Sequence, residues 1–132
     1  MTAAKATSVQ PVTRLLDQPR VNLYAEGAND PNPIHRETPE AQDSLFGQPI
    51  AHGMLVLALV SEAMTGAFGD AWARSGALKI RWRAPALTPV EVTASAEFRR
   101  EVDQRVEYNV RCEAADGTLL LSGTASVEAP EA

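Results

Sequence analysis

After Gly76 the chain alternates apolar and polar residues with a period of two. Leu78, Ile80, Trp82 and Ala84 interleave with Lys79, Arg81 and Arg83. Val90, Val92, Ala94, Ala96 and Phe98 interleave with Glu91, Thr93, Ser95, Glu97 and Arg99. Val106, Tyr108, Val110 and Cys112 form a third run, and Leu119, Leu121, Gly123, Ala125 and Val127 a fourth. Asp116–Gly117, between the last two runs, is a hairpin-turn dipeptide. Four successive one-faced strands predict an antiparallel sheet with one face on a core.

The first half of the chain reads differently. Pro11–Leu16 predicts a short first strand. Asp17 suits a helix N-cap, with Pro19 in the first turn where its missing N–H costs little. Val21, Tyr24, Ala25 and Ala28 follow at helical spacing, and that face ends at Asn29–Asp30. Two prolines in Asp30–His35 (DPNPIH) predict extended, non-helical backbone. Thr38-Pro39-Glu40 predicts a second, short helix ending near Gly47. Gly53–Phe68 is apolar nearly all round, broken by Ser61, Glu62 and Thr65, which predicts a long buried helix. A helix of that kind needs apolar surface about its girth, and a curved sheet wrapped around it supplies that surface. The fold class is α+β, with helices early and strands late.

Composition narrows the function classes. The 132 residues predict a single domain over 1–132, with residues 1–10 loosely ordered. Roughly two-thirds of the unfolded surface is buried at this size, enough for a core without disulfides or metal. With 45% hydrophobic and 22% charged residues, disorder is a poor reading. The net charge of −5, with no basic block, argues against nucleic acid and membrane surfaces as partners. Cys112 is the only cysteine, so there is neither an internal disulfide nor a CxxC motif. His35 and His52 are the only histidines, and they are not at zinc-helix spacing, so no metal is expected. The N-terminal stretch has no apolar signal core, and the run Met54–Val60 is far short of the ~18 residues of a membrane span. The expectation is a soluble protein of a reducing cytoplasm.

Two segments hold candidate chemistry. In Asp30-Pro31-Asn32-Pro33-Ile34-His35 a carboxylate and an imidazole share a loop stiffened by two prolines. Acid–base work needs such a pair held rigid around one small molecule. The bland reading is a connection whose polar groups cap nearby backbone. In Ala51-His52-Gly53-Met54 the long helix begins, offering free N–H donors and the positive dipole end. Gly53 there would let a ligand atom approach the backbone; alternatively it only relieves crowding. His52 reads as a structural histidine bonding nearby backbone. Trp72, Trp82 and Phe68 read as core or interface, and Cys112 as a small core residue.

Together, Tyr24–His35 (YAEGANDPNPIH) and Pro49–Met54 (PIAHGM) resemble the (R)-specific enoyl-CoA hydratases, or MaoC-like dehydratases. That family's signature is an aromatic residue, then Asp-x-Asn-Pro-aliphatic-His, then His-Gly-Met opening the central helix. The resemblance covers roughly residues 11–128. It implies the hotdog fold, with about five strands around the central helix, and a homodimer paired edge to edge. It implies reversible hydration of trans-2-enoyl thioesters to (R)-3-hydroxyacyl thioesters, in fatty-acid or related acyl-CoA metabolism. No cofactor is implied beyond the coenzyme A or acyl-carrier part of the substrate. Asp30 and His35 match the catalytic pair and Gly53 the oxyanion donor. Asn32 would brace the loop, and Met54 belongs to the substrate-binding block. Ser61 matches a polar position facing the site; the alternative is a bond to its own i−4 carbonyl. Lys79, Arg81 and Arg83 suit the phosphates of coenzyme A, or else form a solvated strand face. One departure is Ala28-Asn29, where the family usually has a small residue and Gly. Asn tolerates positive φ better than other non-glycine residues. Two other classes stay open: a hotdog thioesterase using Glu62, and a non-catalytic acyl-thioester-binding or heteromer-partner hotdog.

Overall fold

The computed structural model of the chain describes residues 7–30, 32–35, 38–42 and 47–130. Five strands form one antiparallel sheet: β1 (Val12–Leu16), β2 (Ala77–Trp82), β3 (Val90–Val102), β4 (Arg105–Ala114) and β5 (Leu119–Glu128). Their order is β1-β3-β4-β5-β2, so β1 and β2 are the edges. Helix α1 (Gln18–Ala28) follows β1. The short α2 (Pro39–Gln42), the long α3 (Gly53–Phe68) and α4 (Asp70–Ser75) precede β2. None of these helices is long and apolar enough to cross a membrane.

The sheet's inner face carries the residues that the period of two selects. Val92, Ala94, Val106, Tyr108, Val110, Cys112, Leu121, Ala125 and Val127 are all buried. They pack on Val56, Leu59, Val60 and Met64 of α3. On its other side α3 shows Met54, Ala58, Glu62, Thr65 and Gly66 outward, and Glu62 there forms an ion pair with Arg14 of β1. This curved sheet closing on a central helix is the hotdog arrangement.

Local chemistry sets the ends. Asp17 caps α1 by accepting from the Arg20 N–H at 3.1 Å. Thr38 Oγ1 accepts from the Ala41 N–H and starts α2; the predicted end of that helix near Gly47 falls on 43–46, outside the described residues. Asp116 Oδ1 accepts from the Thr118 N–H, and Gly117 takes φ +92° to close the β4–β5 hairpin. Asp103 and Gln104, both at positive φ, close the β3–β4 hairpin.

Four details differ from the pattern. The prolines of 30–35 do not keep the backbone extended: Pro33–His35 makes a single 3-10 turn. Pro33 opens that turn, where its absent N–H costs nothing. Leu120 and Leu121 are both buried because the β4–β5 register slips beside Cys112–Glu113, placing consecutive residues inward. β3 runs on to Val102 through a second irregularity between Phe98 and Arg100. Trp82, expected in the core or an interface, is not in the core: it is 51% exposed at the end of edge strand β2.

Candidate active site

The loop after α1 begins with a left-handed residue. Asn29 adopts φ 54°, ψ 45°, and the next N–H, from Asp30, returns to the Ala25 carbonyl at 2.9 Å. This C-cap reverses the chain and throws the Asp30 side chain clear of the helix. Asn32 braces the turn beyond it. Its Oδ1 accepts from the Ile34 N–H at 3.2 Å, and its carbonyl accepts from the His35 N–H at 3.2 Å. Its own N–H points at Asp30 Oδ1, 3.4 Å away. Gln18 Nε2, from the first turn of α1, donates to the His35 carbonyl at 2.7 Å. Both ends of the loop are thus tied to one helix.

The imidazoles are fixed by carbonyls. His35 is buried, and its Nδ1 lies 2.7 Å from the Ile50 carbonyl oxygen. A carbonyl only accepts, so Nδ1 carries a proton and Nε2 is left to face the site. His52 stacks on His35, with ring centroids 3.6 Å apart. Its Nε2 lies 3.3 Å from the Asp30 carbonyl oxygen and 3.7 Å from Asp30 Oδ2. Its Nδ1 is buried without a partner among the described residues. Burial holds the His52 pKa below the usual imidazole value; the bond to the Asp30 carbonyl opposes that fall, and the neighbouring His35 adds to it. Asp30 itself is open, its side chain 49% exposed against 3% for His52.

One donor atom each from Asp30, His35 and His52 lie within 4.8 Å of one another. Both oxygens facing His52 Nε2 are acceptors, so that nitrogen keeps its proton and has no lone pair to offer.

α3 starts directly after His52. The His52 side chain makes no capping bond, so among the described residues the N–H groups of Gly53 and Met54 have no side-chain cap. A pocket of about 360 Å³ opens beside them, walled by Ile50, Gly53, Val56, Trp82, Arg83 and Leu120 among others, without Asp30 or His35. A Cβ at Gly53 would sit 3.1 Å from the Trp82 ring.

The structure brings Asp30, Asn32 and His35 together and sets Gly53 one residue beyond His52. Met54 is exposed beside it. Ser61 accepts from the Trp72 indole N–H at 2.9 Å, linking α3 to α4. Arg81 and Arg83 are exposed at β2 and just beyond it. Arg83 Nε donates to Ser122 Oγ and the residue also lines the pocket. Sequence reasoning missed Gln18 and the contact of His52 with Asp30. Gln18 carries no local signal, since its partner is 17 residues away. His52 adjoins Gly53 in the sequence, and that adjacency was the available clue.

Residues 2–118 match the MaoC like domain family. No curated protein sequence matches the chain significantly. Among solved structures, the chain is similar to an (R)-hydratase from A. caviae involved in PHA biosynthesis: 24% identity, TM-score 0.81, covering 96% of this chain and 99% of that one. It is similar to the unliganded R-hydratase PhaJ1 of Pseudomonas aeruginosa, with 24% identity, TM-score 0.80 and coverage of 95% and 83%. The ChsH1-ChsH2 complex of Mycobacterium tuberculosis is a further match, with 17% identity, TM-score 0.77 and coverage of 92% and 94%. At these identities the likeness shows the fold.

Proposed function

The chain belongs to the MaoC-like dehydratase family, and from that premise we propose that it reversibly hydrates trans-2-enoyl thioesters to (R)-3-hydroxyacyl thioesters. The observation that carries this reading is the pairing of Asp30 with His35 on a braced loop, against His52, the residue that immediately precedes the helix start at Gly53. Water held between Asp30 and His35 Nε2 loses a proton to Asp30 as its oxygen bonds to C3. C2 then takes a proton delivered from the same pair, so the elements of one water add across the double bond. Negative charge develops on the thioester oxygen, where the Gly53 N–H and the helix dipole oppose it. The pocket walled by Val56, Trp82 and Leu120 suits an acyl chain. Arg83 at its wall, with Arg81 nearby, suits the phosphates of coenzyme A. The structures named (R)-hydratase support the same class of reaction.

A thioesterase would need a carboxylate on the central helix. Glu62, the candidate, is an exposed ion-pair partner of Arg14. We further propose a homodimer joined through β2, an exposed edge bearing Trp82. A concentration-independent monomer in sedimentation would refute that assembly. Crotonyl-CoA tests the activity: loss of enoyl absorbance without free thiol is the expected result. Release of thiol would indicate a thioesterase, and no change a non-catalytic binder; either outcome overturns the hydratase reading.

A further inference from the structure

We propose that His52 is a positioning residue: a neutral imidazole whose Nε2–H aims the Asp30 carboxylate and whose ring holds His35 in plane. The inference rests on the hydratase reading above. Its grounds are geometric. His52 Nε2 faces two acceptors, the carbonyl and the carboxylate of the same residue, at 3.3 and 3.7 Å. One N–H aimed between them couples the backbone position of Asp30 to the direction of its carboxylate. The ring lies over His35 at 3.6 Å with 24° between planes, so His35 cannot rotate about its Cβ without displacing it. The groups facing His52 are Tyr24 from α1, at 4.7 Å between centroids, Asp30 from the α1 exit and His35 from the 3-10 turn. His35 is further pinned through Nδ1 to Ile50 and through its carbonyl to Gln18.

The unpartnered Nδ1 decides the protonation state. A charged His52 would bury a second N–H with no acceptor among the described residues. The neutral Nε2–H tautomer leaves only a bare lone pair there. It also keeps a positive charge off the ring stacked on His35. His52 touches neither water nor substrate in this scheme. It acts through Asp30 and His35.

Two substitutions separate the parts. His52→Phe keeps the ring and loses the donor; His52→Gln keeps a donor near the Nε2 position and loses the ring. With crotonyl-CoA, His52→Phe should lower kcat by roughly tenfold to a hundredfold, the scale of a misaligned reacting group, with KM within about twofold. His52→Gln should recover the part of the loss that the donor carries and still fall short of the unsubstituted enzyme, because His35 loses the ring stacked on it; full recovery would overturn the role of the ring. A structural role alone would instead lower the thermal midpoint and leave kcat per folded enzyme unchanged. Imidazole ¹⁵N spectra of the unsubstituted protein should show His52 as the neutral Nε2–H tautomer at neutral pH. An Nδ1–H tautomer, a charged ring, or wild-type kcat in a folded His52→Phe variant overturns the proposal. If His52→Phe does not fold, the ¹⁵N spectra and His52→Gln decide. Failure of the hydratase reading appears separately, as no turnover by the unsubstituted protein.

Discussion

Asn29 shows how much one residue carries. Its left-handed backbone, φ 54°, aims Asp30 where a glycine would ordinarily make the turn. Asn29→Gly should therefore be nearly neutral in urea unfolding. Asn29→Ala should cost about 1 kcal/mol, because alanine lacks the tolerance of asparagine for positive φ. Asp30 has the opposite balance, little stability and much chemistry. Its half-exposed carboxylate accepts a long bond from the Asn32 N–H and faces the His52 Nε2–H at 3.7 Å, and the Oδ1 of asparagine can accept the Asn32 bond equally. Asp30→Asn should keep the melting temperature and lower enoyl hydration by ~10² or more, the usual scale of a lost general base. Near-normal turnover in the folded variant would remove Asp30 from the mechanism. The pair itself was legible in the sequence, since six consecutive residues contain both groups. The groups standing behind it were not. His52 meets Asp30 across 22 residues and Gln18 meets His35 across 17, contacts that only the folded chain creates.

At the scale of elements, the strands were legible because the sheet has one wet face and one dry one. The long helix was legible because Gly53–Phe68 is a long, mostly apolar stretch, and its bounds match those observed; its burial is one-sided, with Met54, Ala58 and Glu62 outward. Irregularities escaped the pattern because a bulge leaves the alternation intact on paper: Leu120 follows Leu119 as a polar-face residue, yet the register slip turns it inward. The 3-10 turn escaped because proline forbids a helix interior but not a helix start, and Pro33 opens the turn. The start of α3 joins element and chemistry. Gly53 is not among the positive-φ glycines, so its backbone conformation is open to alanine. The added Cβ would press on the Trp82 ring at 3.1 Å, and that ring is half exposed and free to yield. Gly53→Ala should thus leave the unfolding midpoint nearly unchanged while narrowing the approach to the N–H donor. Raised KM and lower kcat for enoyl thioesters are the expected result. A variant that melts early but turns over normally at low temperature would show that Gly53 serves packing rather than the oxyanion.

For the whole molecule, two buried titratable groups near the start of α3, His52 and Cys112, whose thiol donates to the Val56 carbonyl, make stability depend on pH from opposite sides. His52 is held below its ordinary value of 6.5, chiefly by burial. Below pH 6.5 the unfolded chain binds a proton there that the native state refuses, so stability falls as pH drops from 6.5 toward the native pKa and then levels. Cys112 works from the other side. Its thiol is fully buried on β4, near the Val56 carbonyl, and burial pushes its pKa from 9.0 to about 12. Above pH 9.0 the unfolded chain releases a proton that the native state keeps, so stability falls as pH rises toward 12. Tyr108, raised by the same burial, steepens that limb above its ordinary value of 10.0. Unfolding free energy measured by urea titration from pH 4.5 to 10.5 should therefore show a plateau between about 6.5 and 9.0, with a fall on each side. Each limb has its own control. His52→Phe should flatten the fall between pH 6.5 and 5 and leave the alkaline side alone, because phenylalanine has nothing to protonate. Cys112→Ala should flatten the first part of the alkaline fall, at the cost of a small cavity against α3 that lowers the whole curve. A second measurement reads the thiol itself. Iodoacetamide at pH 8 should leave the native protein unmodified and label Cys112 only in denaturant, since the reactive thiolate is suppressed and the sulfur has no exposure. An acid limb that survives intact in His52→Phe would mean that other groups set it, and that the buried imidazole is not the group that titrates between the folded and unfolded states.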